Sequence, residues 1–224
     1  MNITLVSATP FEVAPVIQWL ESLSPPGKDN NFTLGSHQVS VLVTGVGPVA
    51  TTWKLAGYLS SNKPDWVINA GIAGAYDRTL APGDVVLVGE EQLADTGAEE
   101  SDGRLISLFD MKLLDPDEFP YQGGRLVNPD REHTHFLRQV RGLTVSRATG
   151  TEASIAALTN KYPDAQTESM EGAAVFYCCL MSGVRFLEIR SVSNYVEPRN
   201  RENWNIPLAI SSLNDVLKEL LQTV

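Results

Sequence analysis

Residues 3–20 read ITLVSATPFEVAPVIQWL, and their hydrophobic period changes midway. Ile3 to Ala8 is a short β-rich apolar run, whereas from Phe11 to Leu20 the apolar residues Val13, Val16, Ile17 and Leu20 recur at the spacing of one helix face. A strand followed directly by a helix is the repeating unit of α/β folds. The unit recurs after the turn-rich segment SPPGKDNN (24–31): Gln38 to Val43 predicts a strand and Val49 to Leu59 a helix.

Beyond this pair, Trp66 to Ala70 predicts a buried strand ending in the small-residue turn AGIAGA, and Asp84 to Val88 another, entered through the turn at Pro82-Gly83. Residues 92–130 scatter Asp, Glu, Gly and Pro, which predicts irregular, mobile loops, with PDEFPYQGG (116–124) as a surface excursion. His133 to Val140 is expected to be a helix, Leu143 to Ser146 a strand and Glu152 to Leu158 a helix. Glu171 to Met181 predicts a long apolar helix and Arg185 to Val192 a buried strand. Pro207 to Leu221 is amphipathic through Ile210, Leu213, Leu217 and Leu220. No repeat or low-complexity linker divides the chain, so residues 1–224 are expected to form a single domain.

Of the 224 residues 43% are hydrophobic, enough for a sizeable core, and 17 basic against 27 acidic residues leave a net charge of −10. A field of that sign repels phosphate backbones and anionic lipid surfaces, which argues against nucleic acid and membrane partners. No apolar run approaches the ~20 residues that cross a bilayer, and MNITLVSATP lacks the basic start of a signal peptide; a cytoplasmic location is expected. The adjacent Cys178 and Cys179 are expected to be reduced, buried and apolar in behaviour.

Several familiar signals carry little chemistry. Gly45-Val46-Gly47-Pro48-Val49-Ala50 follows a strand and opens a helix, as a dinucleotide fingerprint would, but the acidic residue that should end the next strand is Asp65, which precedes it. The glycines are expected to make a tight turn against a neighbouring element or a ligand. His133 and His135 have no Cys or third His beside them, so no metal is implied, and no G-x-S-x-G elbow is present for acyl transfer. No cofactor is called for.

The acidic residues that interrupt apolar surroundings are more informative. Glu12 falls in the first helical turn after the first strand, at the carboxyl edge of the sheet, where open α/β folds bind ligands. Glu171 begins the most apolar helix, where a carboxylate needs hydroxyls or a cation. Arg190 sits within the strand FLEIRSVSN, whose end displays Ser193 and Asn194. Composition and spacing leave each of these open to an ordinary capping or pairing role.

In order along the chain, SATPFEV, TGVGPVAT, NAGIAGA, APGDVV, ESMEGAAV and IRSVSN resemble the purine nucleoside phosphorylase and nucleosidase family over nearly the whole length. Within it, SATPFEV, ESMEGAAVFY and the tail SNYVEPRNRENWNIPLAI (193–210) are most similar to the futalosine hydrolases of menaquinone biosynthesis. The resemblance implies a three-layer α/β sandwich whose central mixed, partly closed sheet is flanked by helices, a homodimer or higher homo-oligomer, and hydrolysis of the N-glycosidic bond of a small nucleoside, with release of hypoxanthine. It implies that Glu12 activates the water, that Met170 and Glu171 hold the ribose, that Arg190 sets a positive charge near them, and that Ser193 and Asn194 read the base. By the same resemblance the turn at Gly71-Ile72 borders the substrate, and the irregular stretch from Glu91 to Gly124 and the turn at Thr149, Gly150 and Thr151 are expected to form the lid and the base wall.

Two departures matter. Adenine-specific relatives carry an aspartate where this chain has Asn194, and an amide can accept from purine N7–H while donating to O6, which suits a 6-oxopurine. They also carry a serine where this chain has Ile72, so a hydroxyl contact is absent. A phosphate-dependent phosphorylase is the alternative, kept open by Arg78, although neither Gly27-Lys28 nor Arg78 lies in an evident phosphate-binding turn.

Overall fold

The computed structural model describes residues 1–25, 30–133 and 136–223. The first strand, β1 (Asn2–Ser7), buries every residue after Asn2, and α1 (Pro10–Leu23) follows with Pro10 in its first turn, where a missing N–H loses no helical bond. β2 (Asn31–Leu34) and β3 (His37–Val43) form an antiparallel edge, with β3 parallel to β1. The sequence pattern missed β2, whose first residue, Asn31, ends the turn-rich segment; residues 26–29 of that segment lie outside the described residues. α2 (Pro48–Ser61) then leads to β4 (Trp66–Ala75), which pairs parallel with the other side of β1.

AGIAGA is strand rather than turn. β4 continues unbroken to Ala75 because both its edges are paired at this end, by β12 (Arg185–Tyr195) along its length and by β11 (Thr167–Ser169) at Gly74 and Ala75. The small residues permit close approach: a Cβ on Gly71 would lie 2.2 Å from Arg190 Nη1.

His133 to Val140 is likewise not a helix. Arg131–His133 is one 3-10 turn, residues 134 and 135 lie outside the described residues, and β10 (Arg138–Thr144) then runs parallel to β5 (Val85–Leu93). Pairing with a buried strand satisfies the backbone of β10 and overrides local preference. Residues 92–130 are also more regular than expected. They contain β6 (Gly97–Glu99) paired with β7 (Leu105–Ser107), and β8 (Tyr121–Gln122) paired with β9 (Arg125–Val127). PDEFPYQGG therefore returns to the main sheet, since β9 pairs with β5 at Glu90 and Glu91 and its Leu126 is buried.

β12 bridges β4 and β5, while β11 and β10 connect the same two strands by the other route, so β4, β12, β5, β10 and β11 close into a ring within a mixed sheet. One face is covered by α1 and α5 (Ile206–Thr223), through Val13, Val16, Leu20, Leu213 and Leu217. The other is covered by α2 and α4 (Gly172–Ser182), where Cys178 and Cys179 are free and buried. α3 (Glu152–Lys161) packs Leu158 against Leu143 and Val145. Because β1, β4 and β12 are mutually parallel, their carboxyl ends collect at one edge.

Candidate active site

Glu12 is held at that edge by the start of its own helix. Its Oε2 accepts from Thr9 N (3.1 Å), Thr9 Oγ1 (2.7 Å) and Ser7 Oγ (3.2 Å), while Oε1 accepts from Ile72 N (3.1 Å) on β4. Oε2 is thus saturated and Oε1 keeps acceptor capacity. The helical turn itself is braced by Asn214 of α5, whose amide donates to Glu12 O at 2.8 Å and accepts from Val16 N at 2.9 Å.

Glu171 caps α4 and reaches the turn after β3. Its Oε1 accepts from Gly47 N at 3.0 Å, where φ of 91° demands glycine, so the N–H that a dinucleotide would have used serves a protein carboxylate. Its Oε2 lies 3.7 Å from Arg190 Nη2. Arg190 is 1% exposed and donates from Nε to Glu188 Oε1 at 2.7 Å. Burial opposes its charge, but the carboxylates of Glu188 and Glu171, with Glu12 beyond them, outweigh that and hold the guanidinium above its ordinary pKa. Burial pushes Glu188 up against the pull of Arg190. Glu91, which accepts from Thr144 Oγ1 at 2.8 Å, is raised well above the usual carboxylate range by burial and by Glu188. Gly172 makes room for both: a Cβ there would fall 2.3 Å from Glu91 Oε1 and 2.7 Å from Glu188 Oε1.

Glu12 and Glu171 open into one cleft of about 200 Å³, which Ile72, Met170, Ser193, Asn194 and Trp204 also line. At its far end Ser193 Oγ donates to Asn194 Oδ1 at 2.7 Å, and Asn194 Nδ2 donates to Tyr195 O at 2.9 Å. Glu168 lines the same end, accepting from Thr149 N at 2.9 Å, from Thr149 Oγ1 and from Tyr76 OH. Burial and the Glu168 carboxylate hold the Tyr76 phenol protonated by raising its pKa. Among the described residues no lysine or arginine lines this cleft.

Paired carboxylates at the carboxyl edge of a mixed sheet fit more than one enzyme class, and comparison with known proteins narrows it. The model of the phosphorylase superfamily matches residues 2–222. This chain belongs to that superfamily. The phosphorylase-superfamily chain is 35% identical over 185 residues, 80% of its own length and 77% of the relative's, to a futalosine hydrolase of Streptomyces coelicolor. It is 30% identical over 223 residues, 96% and 88% of the two lengths, to one of Acidothermus cellulolyticus. The structure of a futalosine hydrolase of Helicobacter pylori superposes with a TM-score of 0.77 over 100% of this chain and 98% of that one at 14% identity, which shows a shared fold.

Most sequence-derived site residues converge in this superfamily member. Glu12, Ile72, Met170, Glu171, Ser193 and Asn194 line the cleft. Arg190 does not; it lies beneath, and Gly71 is the gap through which its guanidinium approaches Glu12. Gly150 and Thr151 line a neighbouring cavity of about 1140 Å³ with Arg147 and Arg199, and among the described residues only Ala148 and Thr149 border both spaces. Sequence reasoning missed Thr9, Glu188, Glu91, Glu168 and Trp204. Glu188 had a visible signal, a carboxylate inside an apolar strand two residues from Arg190; Glu168, in the polar strand Thr167–Ser169, had only its place two residues before Met170.

Proposed function

We propose that the chain hydrolyses the N-glycosidic bond of futalosine, releasing hypoxanthine and dehypoxanthinyl futalosine for menaquinone biosynthesis. The observation that carries this reading is one cleft with Glu12 and Glu171 at one end, Asn194 at the other, and no lysine or arginine among its described lining residues. As the glycosidic bond breaks, its electron pair leaves with the purine and positive charge develops on the ribosyl ring. Glu171, fixed by Gly47 N and Arg190, accepts from the ribose hydroxyls and favours that charge, with Met170 against the sugar. Glu12 Oε1, the oxygen with capacity left, takes a proton from the attacking water as its oxygen bonds to the anomeric carbon. The departing base takes a proton from solvent at N7; Asn194, oriented by Ser193, accepts from the N7–H so formed and donates to O6.

Water rather than phosphate is supported as the nucleophile. Arg78, the cation that left phosphorolysis open, is engaged by Glu197 at 3.2 Å and stacks on Tyr195 at 4.3 Å; Lys28 lies outside the described residues. We further infer one nucleosidase domain over residues 1–224, acting in the cytoplasm as a homo-oligomer. The exposed apolar side chains of Val49 (83%) and Trp53 (81%), one turn apart on α2, support association, and no described helix is long and apolar enough to cross a membrane.

Chromatography of products from futalosine, aminofutalosine and inosine, each with and without phosphate, tests the reading. Phosphate-independent release of hypoxanthine from futalosine is expected. Cleavage that requires phosphate, or that prefers the 6-amino substrate, contradicts it.

A further inference from the structure

The face that α5 packs against α1 and the sheet is apolar but for one residue. Its buried positions are Ala209, Leu213, Asn214, Leu217, Leu220 and Leu221, and Asn214 is 1% exposed. A buried amide is tolerated only where its bonds are made, and here both donor positions and the oxygen are engaged. Nδ2 donates to Glu12 O at 2.8 Å and to Ile210 O at 2.7 Å, while Oδ1 accepts from Val16 N at 2.9 Å. Two carbonyls and one N–H fix which end of the amide is which.

The two groups that Asn214 takes on α1 belong together. Val16 N–H and Glu12 C=O, four residues apart, are a pair that a regular helix joins directly. Beside them the ladder has a gap, because Pro15 has no N–H to give to Phe11 O. The turn that carries Glu12 is thus tied to the rest of α1 by one bond fewer than a regular helix supplies. A side chain 202 positions further along the chain from Glu12 clasps the next pair.

Stability alone does not call for an amide at this place. Leucine has nearly the same shape, and with the amide gone Val16 N–H and Glu12 C=O can bond each other, so neither is left orphaned. What the amide adds is location. The Glu12 side chain is fixed by Ser7, Thr9 and Ile72, and its backbone is fixed to α5. The approach to α5 is itself bound to the cleft, where Asn205 N donates to Ser193 O at 2.8 Å and Trp204 lines the wall.

We propose that Asn214 is a positioning residue for Glu12: by holding both members of the pair it sets where the first turn of α1 lies, and with it the distance from Glu12 Oε1 to the attacking water. This rests on the reading of Glu12 as the base. Asn214 touches no reacting atom and acts only through that carboxylate. A displacement of about 1 Å in a reacting group is enough to lower a rate about 100-fold.

A double-mutant cycle separates this role from a purely structural one. Asn214→Leu should lower kcat for futalosine and aminofutalosine alike by about 10- to 100-fold, with KM changed by less than about threefold. In a Glu12→Gln background, where the base is already gone, the same substitution should change the residual kcat by less than about threefold. Equal losses in the two backgrounds would mean that Asn214 acts on the fold and not through Glu12, and would overturn the proposal while leaving futalosine hydrolysis intact. An unchanged kcat in Asn214→Leu overturns it as well. Asn214→Ala, which cannot crowd the site, is assayed beside it, with urea unfolding as the check on folding; if neither variant folds, Asn214 serves stability alone and the proposal fails. An unaltered protein that cleaves neither substrate overturns both readings.

Discussion

At one end of the cleft, Glu12 and Glu171 are gathered around a buried guanidinium, with Glu188 and Glu91 completing a cluster almost devoid of water contact. At the other end, Glu168 is held by a phenol, a hydroxyl and a backbone N–H, and Asn194 by a hydroxyl and a carbonyl. The first arrangement fixes charge, which is what stabilising a cationic sugar requires, because a field in a low-dielectric site acts without reorganising. The second fixes direction, which is what telling one purine from another requires, because a mispaired buried polar group is costly. Changes at the first end should therefore abolish turnover with either substrate, and changes at the second should alter preference.

The largest expected effect is at the charged end. Glu12→Gln keeps the acceptor oxygen and the size but removes the base, and kcat should fall about 10²- to 10⁴-fold for futalosine and aminofutalosine alike; steady-state kinetics with an unchanged thermal midpoint would confirm it, and a loss confined to one substrate would blur the division between the two ends. Next is Asn194→Asp at the directional end. The ratio of kcat/KM for the 6-oxo over the 6-amino substrate should shrink by about 10-fold or more; an unaltered ratio removes Asn194 from base choice.

A smaller effect concerns stability. Glu91 has a folded-state pKa raised above its unfolded value, so its contribution is fully present below the ordinary glutamate pKa and is lost as pH rises through the folded value. Glu91→Gln should flatten the decline of stability above about pH 4.5 in urea titrations run at successive pH values, without altering base preference. A decline as steep as that of the unaltered chain would mean that Glu91 is not the group losing its proton.

Much of this was legible in the chain. The period change across Ile3 to Leu20 established the first β-α unit, and the motif order pointed to the edge where Glu12, Glu171 and Asn194 meet. Such features are local or carried by contiguous motifs. β4 was cut short at Ala70 because small residues look like turn formers until the strands on both sides are known. Arg138 to Val140 was misread because only its pairing with Val86 to Val88 makes it strand. Glu168 went unassigned for the same reason: its place across Gly74 from Asn194, a residue 26 positions further on, is a matter of register, and register is a property of the assembled sheet.

The most direct test of the account is a crystal structure of the Glu12→Gln variant with intact futalosine bound. The account predicts the ribose between position 12 and Glu171, with Glu171 within hydrogen-bond distance of the sugar hydroxyls, position 12 facing the anomeric carbon from the side opposite the purine, and the base against Asn194. A sugar bound away from either carboxylate, or a purine seated in the neighbouring cavity beside Gly150 and Thr151, would contradict it.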